Sequence, residues 1–176
     1  MRLDRTFKIT SDQFYDYLEQ QVIEDVEKAT SKKIRARDIK AGFKYVRKTD
    51  AGDKIIVTVK DYQRGKTYSV SAHQFSQDVT TTYTTEQTPE GLHILMDFFS
   101  SDFEKKKDTM GKVKRTYQET VYYGRMSSQL ISIIDDIQRD AEGITRKQDM
   151  PGRKAAEHLS KFINKKLFGK GNNDDD

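Results

Sequence analysis

The residues in this sequence best suited to moving protons or holding a metal are its three histidines, His73, His93 and His158. None stands in an HExxH or comparable ligand spacing. Strand pairing would have to bring His73 and His93 together, with Asp97 completing the site. Exposed or half-buried strand positions explain both residues more plainly. Gly65-Lys66-Thr67 matches the end of a phosphate-binding loop, but Lys60 stands near where its opening glycine belongs. A hairpin turn accounts for Gly65. Ser127 and Ser128 lack the G-x-S-x-G surroundings of a serine nucleophile. The run Thr80-Thr81-Thr82-Tyr83-Thr84-Thr85 invites a surface-binding reading, yet β-branched threonine suits any half-solvated strand. Tyr117, Tyr122 and Tyr123 lie near Lys112, Lys114 and Arg115, a mixture able to stack bases and hold phosphates. The same aromatics serve equally well at the mouth of an apolar cavity. With no catalytic motif found, no cofactor and no metal site are expected.

Composition narrows the field further. The 176 residues suit one domain. No cysteine is present, which removes disulfides, thiolate catalysis and cysteine-ligated metals from this chain. Basic residues number 32 against 28 acidic ones, a net charge of +4 that is mild for a nucleic-acid-binding protein. The excess gathers at residues 105–115 and 153–170, while Asp174, Asp175 and Asp176 close the chain with negative charge. The charged opening MRLDRTFKIT lacks the apolar core of a signal peptide, and cytoplasm is the expected location.

Elements able to position such residues are written in the hydrophobic periods. Leu3, Phe7 and Ile9 suggest a first strand. Thr10 and Gln13 then form a capping-box pattern that opens a helix. Phe14, Leu18, Val22 and Val26 repeat every fourth position, with Tyr15 and Ala29 alongside, and the stripe runs to about Ser31. Asp16, Glu19, Gln20, Glu24 and Glu27 are expected to face water. Residues 36–43 suggest a short second helix carrying Ile39 and Phe43.

From Lys44 the period becomes two, interrupted by Asp50-Ala51-Gly52-Asp53, Gln63-Arg64-Gly65-Lys66 and Thr88-Pro89-Glu90-Gly91. This predicts an antiparallel meander whose inner face carries Ile55, Val57, Val59, Tyr68, Val70, Ala72, Val79, Thr81, Tyr83, Leu92, Ile94, Met96 and Phe98. Beyond Phe103 the alternation stops until about Tyr117, suggesting an exposed connection. Met126, Leu130, Ile133, Ile134, Ile137 and Ala141 then mark a long helix stopped at Gly143. A linker and an amphipathic helix with Phe162, Ile163 and Leu167 follow. The class is therefore α+β, with one helix packed over a curved antiparallel sheet.

At this point the chain resembles a known family. The strand RTFKIT running into SDQFYDYLEQQVIEDVEKAT, the AGFKYVRK junction, the hairpin KIIVTVKDYQRGKTYSVS and the strand GLHILMDF before a helix look like an uncharacterised bacterial domain-of-unknown-function family, the 3284 type. That family is related to START-like, helix-grip proteins. The likeness spans residues 1–143. It implies a cavity between sheet and C-terminal helix, used in relatives to hold apolar ligands.

Three segments are thus expected: a START-like helix-grip domain over 1–143, a basic amphipathic extension over 144–170 and a disordered acidic tail over 171–176. The leading functional expectation is a non-catalytic binding protein holding a small apolar ligand. Its cavity would be lined by Tyr68, Val70, Tyr83, Ile94, Met96, Phe98, Met126, Leu130 and Ile133, each also an ordinary core residue. The alternative is an interaction module acting through the basic extension, on a protein or a polyanion. A homodimer would bury the same apolar stripe, while nucleic acid and membrane surface are minority readings.

Overall fold

The computed structural model of the chain describes residues 1–48, 54–74 and 77–143. The expected turn at 50–53, His158, the extension over 144–170 and the tail lie outside them. The elements run β1 (Arg2–Phe7), α1 (Ser11–Thr30), a 3-10 turn (Ala36–Asp38), β2 (Lys44–Lys48), β3 (Lys54–Gln63), β4 (Thr67–Gln74), β5 (Gln77–Thr88), β6 (Gly91–Ser100), α2 (Ser101–Lys106) and α3 (Lys112–Ala141).

The helix α1 starts where the capping box predicts. The Thr10 hydroxyl accepts from the Gln13 amide, and the Gln13 side chain accepts from the Thr10 amide at 2.8 Å. Its end is equally local, with Ser31 in the left-handed region at φ 58°. Phe14, Tyr15, Leu18, Val22 and Val26 are all buried. The opposite face is less wet than its composition suggests. Arg64, at the β3–β4 turn, reaches over and donates to Asp16 at 2.7 Å and to Glu19 at 2.9 Å. Tyr62 also donates to Glu19. This clamp ties the hairpin to α1 and raises the Arg64 pKa, chiefly through the Asp16 hydrogen bond.

The expected helix over 36–43 shrinks to the single 3-10 turn. Two local causes stop it: the Asp38 carboxylate accepts from the Arg35 amide, and Gly42 turns the chain at φ 87°. Ile39 is nonetheless buried, and Phe43 stacks on Tyr45 with centroids 6.0 Å apart.

All six strands are antiparallel neighbours in the order β1-β6-β5-β4-β3-β2. The period-two reading therefore selects the correct inner face. Along β6, Leu92, Ile94 and Met96 are fully buried while His93 and Leu95 between them are only partly so. A register shift between Val59 and Asp61 marks a bulge in β3, a device that bends a strand and increases twist. The concave face fills with aromatic rings. Tyr68 stacks on Tyr83 at 6.5 Å, Tyr62 meets Tyr68 edge-on at 5.9 Å, and Phe14 meets Tyr83 edge-on at 5.6 Å. Tyr15 Oη and Thr85 Oγ1 share a buried hydrogen bond of 3.0 Å.

The exposed connection expected beyond Phe103 is mostly helical. The short α2 is capped by Ser100, whose hydroxyl accepts from the Phe103 amide, and α3 already begins at Lys112. Its first turns carry Val113 at 86% exposure and an Arg115–Glu119 ion pair. These turns are exposed, so no apolar stripe is required of them. Ser127 and Ser128 lie inside this helix. From Met126 onward α3 packs down, burying Met126, Leu130, Ile134 and Ile137. The Tyr17 hydroxyl on α1 donates to Asp136 on α3 at 2.9 Å, joining the two helices over the sheet. Gly143, at φ 70°, follows the end of α3 as its sequence position predicts.

The buried Tyr68 and Tyr83 and the half-buried Tyr45 and Tyr62 make stability sensitive to alkali. Burial pushes Tyr45 up to about 12 and raises Tyr62, Tyr68 and Tyr83 above the ordinary phenol value as well. The folded state thus keeps protons that an unfolded tyrosine releases near pH ~10. Stability from this source is complete below pH ~10 and is lost as pH rises from there toward the folded values. Urea midpoints followed across that range should fall steeply above pH ~10, and less steeply in Tyr45→Phe. A midpoint that holds up to pH ~12 would contradict the buried, neutral assignment.

Candidate functional site

The histidine pair considered for proton transfer is not assembled. His73 lies on β4 opposite Asp78, and His93 lies on β6 opposite Glu86, with β5 between them. Asp78 and Glu86 are eight steps apart along β5, about 26 Å at ~3.3 Å per residue. Each imidazole has its own carboxylate: His73 with Asp78 and His93 with Asp4, both at 2.7 Å. Asp97 pairs with Arg2 at 2.9 Å instead. Among the described residues no cluster of histidine and carboxylate groups suited to a metal ion is present. Gly65 turns the β3–β4 hairpin at φ 81°, and the threonine run forms the middle of β5 with Thr81 and Thr85 buried.

A recess does exist where the sheet and α3 part. It encloses about 290 Å³ between the Gln77 end of β5, the Ser100 end of β6 and the middle of α3. Its apolar wall is Val79, Phe98, Tyr122 and Met126, and its polar rim is Gln77, Ser100, Arg125 and Gln129. Tyr122 is held there by rings on two sides, with centroids 5.5 Å from both Phe98 and Phe103. The Gln129 amide donates to the Tyr83 hydroxyl at 3.3 Å, linking the rim to the interior. Burial alone raises the Tyr83 pKa, so that hydroxyl stays neutral.

Of the nine residues expected to line a cavity, Phe98 and Met126 reach this recess. Tyr68, Tyr83, Ile94, Met96 and Leu130 are buried in the packed cluster deeper in, and Val70 and Ile133 pack against it half-buried. The recess therefore sits at the margin of the expected lining. Arg125, Gln129 and Gln77 went unnoticed because a polar rim leaves no mark in a search for apolar stripes. One signal was available: Tyr122 stands one helical turn ahead of Met126, where the apolar stripe begins, and Arg125 and Gln129 are themselves one turn apart beside it.

A larger and more open groove of about 820 Å³ lies at the opposite end of the sheet, between the β1–α1 and β5–β6 turns. Its side-chain amides are already committed. Gln13 accepts from the Thr10 amide and Gln87 from the Ser11 amide, each at 2.8 Å. That groove serves the start of α1, whereas the recess at α3 includes the cationic Arg125 in its lining.

A long helix held across the concave face of a curved antiparallel meander defines a START-like helix-grip fold. The solved structures agree. The solution structure of the Polyketide_cyc-like protein Cgl2372 from Corynebacterium glutamicum is similar with a TM-score of 0.56 at 12% identity, covering 84% of this chain and 96% of that one. The crystal structure of protein MLL2253 from Mesorhizobium loti gives 0.52 at 16% identity, covering 85% and 98%. Likeness at these identities is one of fold. The chain belongs to the family described as Domain of unknown function (DUF3284), whose model matches residues 1–123. No curated protein matches it. Among the described residues no helix is long and apolar enough to cross a membrane.

Proposed function

We propose that this protein is a non-catalytic binding protein that holds a small apolar ligand in the recess between β5, β6 and α3. The observation that carries this reading is the recess itself. It places Val79, Phe98, Tyr122 and Met126 around about 290 Å³ at the junction where the helix leaves the sheet. Small-molecule sites combine an apolar wall with polar groups that orient the guest, and this lining has both. The volume equals that of about ten waters at ~30 Å³ each, enough for a short acyl chain or a ring system.

The test compares the native mass of freshly purified full-length protein with its denatured mass, before and after Val79→Trp. A retained small molecule in the native protein, reduced at least about tenfold by the substitution, is expected for an indole filling the recess, since tenfold is only ~1.4 kcal/mol. Val79 is only partly buried, so the unfolding midpoint should stay near that of the parent. Retention of the same ligand in Val79→Trp at an unchanged level would place the binding elsewhere and end this reading.

A further inference from the structure

We propose that the ligand is an amphipathic anion, a short apolar body carrying a carboxylate that Arg125 recognises. This rests on the recess being the binding site, and it adds the chemistry of the guest. The argument starts from charge. Arg125 carries the single formal charge on the lining, and no carboxylate stands on either wall. Of the nine arginines among the described residues, four are paired with carboxylates: Arg2 with Asp97, Arg47 with Asp25, Arg64 with three carboxylates and Arg115 with Glu119. Among the described residues Arg125 has no hydrogen-bond or ion-pair partner.

Position makes this absence informative. Arg125 and Met126 are consecutive on α3 and both line the recess, Arg125 from its exposed side and Met126 from its buried one. Gln129, one turn further along, and Gln77, across the recess on β5, add amide donors on the same rim. A ligand whose apolar part lies on Phe98, Tyr122 and Met126 therefore brings its head group to the rim. There a guanidinium fork and two amides supply donors and no opposing charge. Arginine binds carboxylates through paired N–H groups, and hydrogen bonds to charged partners are stronger than neutral ones. A cationic head group would meet the guanidinium without a counter-charge, and a neutral alcohol would use only the amides.

The experiment uses full-length protein with octanoate and octanol, which share an apolar chain and differ at the head. Binding is located by the Met126 methyl and Tyr122 ring resonances and titrated in the parent, Arg125→Gln and Arg125→Lys. Arg125→Gln should weaken octanoate about tenfold, the lower end for a charge-assisted hydrogen bond at an exposed rim, and leave octanol unchanged. Arg125→Lys should recover part of that loss, and the octanoate advantage should shrink as salt rises. Equal octanoate affinity in the parent and Arg125→Gln, with Met126 still shifting, would overturn the anion assignment and leave the recess standing. If neither compound moves the Met126 and Tyr122 resonances, both the recess and the anion assignment fail.

Discussion

Replacing Gly91 with alanine is expected to destabilise the fold by about 4 kcal/mol or more, a large share of the ~5–15 kcal/mol that holds a domain together. Gly91 has φ 135°, a backbone region that side chains rarely adopt and that alone costs ~1–3 kcal/mol. A Cβ built there would lie 2.1 Å from the Phe7 carbonyl oxygen and 2.9 Å from its carbon. Both are backbone atoms, so no rotamer change relieves the overlap. Phe7 is paired with Leu92 at the end of β1, and relief requires prying β1 from β6. Urea unfolding of the full chain should show a much lower midpoint in Gly91→Ala. A shift under ~0.5 kcal/mol, ordinary for a surface site, would show that β1 does not approach β6 as described.

The second large effect is expected at Leu130. This side chain is fully buried on α3, within the cluster that includes Met96, Ile94 and Tyr83 on the sheet. Leu130→Ala removes packed volume that rigid strands on one side cannot collapse to fill, and ~2–5 kcal/mol of stability should go with it. Ile131 is the matched control, since it neighbours Leu130 in sequence yet is 48% exposed. Ile131→Ala should change stability by no more than ~0.5 kcal/mol. Similar losses at both positions would mean that α3 does not grip the sheet with this face.

What was legible beforehand follows from where the physical signal lives. The start and inner face of α1 were readable because a capping box and a period-four stripe are contained in one stretch of chain. The inner faces of β3 to β6 were readable because alternation records which side is buried. Residues 112–121 escaped because hydrophobic period reports burial, and these turns of α3 are largely exposed. Their helicity rests on intrinsic preference and on pairs such as Arg115–Glu119. Whether His73 and His93 meet was not legible for a different reason, although their exposed or half-buried strand positions were. Periodicity says which face a residue takes but not the order of strands, and β5 stands between the two. The recess was half-legible, with Phe98 and Met126 on apolar stripes and Arg125 and Gln129 beside them on no stripe.

The placement of β1 beside β6 also bears on how the chain is made. Arg2 pairs with Asp97, 95 positions later, whereas the β3–β4, β4–β5 and β5–β6 hairpins join neighbours in the chain. At roughly 5–20 residues per second of synthesis, the first strand waits about 5 to 20 seconds after its own emergence before its partner exists. During that interval its Leu3 and Phe7 have no β6 to pair with, while α1 and the β3–β4 and β4–β5 hairpins can already form from local contacts. Joining of the first strand to the last is then the slow, entropy-limited event of folding, because the loop it closes spans more than half of the chain. A nascent chain halted before Gly91 would hold every described strand except β6 and still expose the apolar edge on which a chaperone or a second chain could dock.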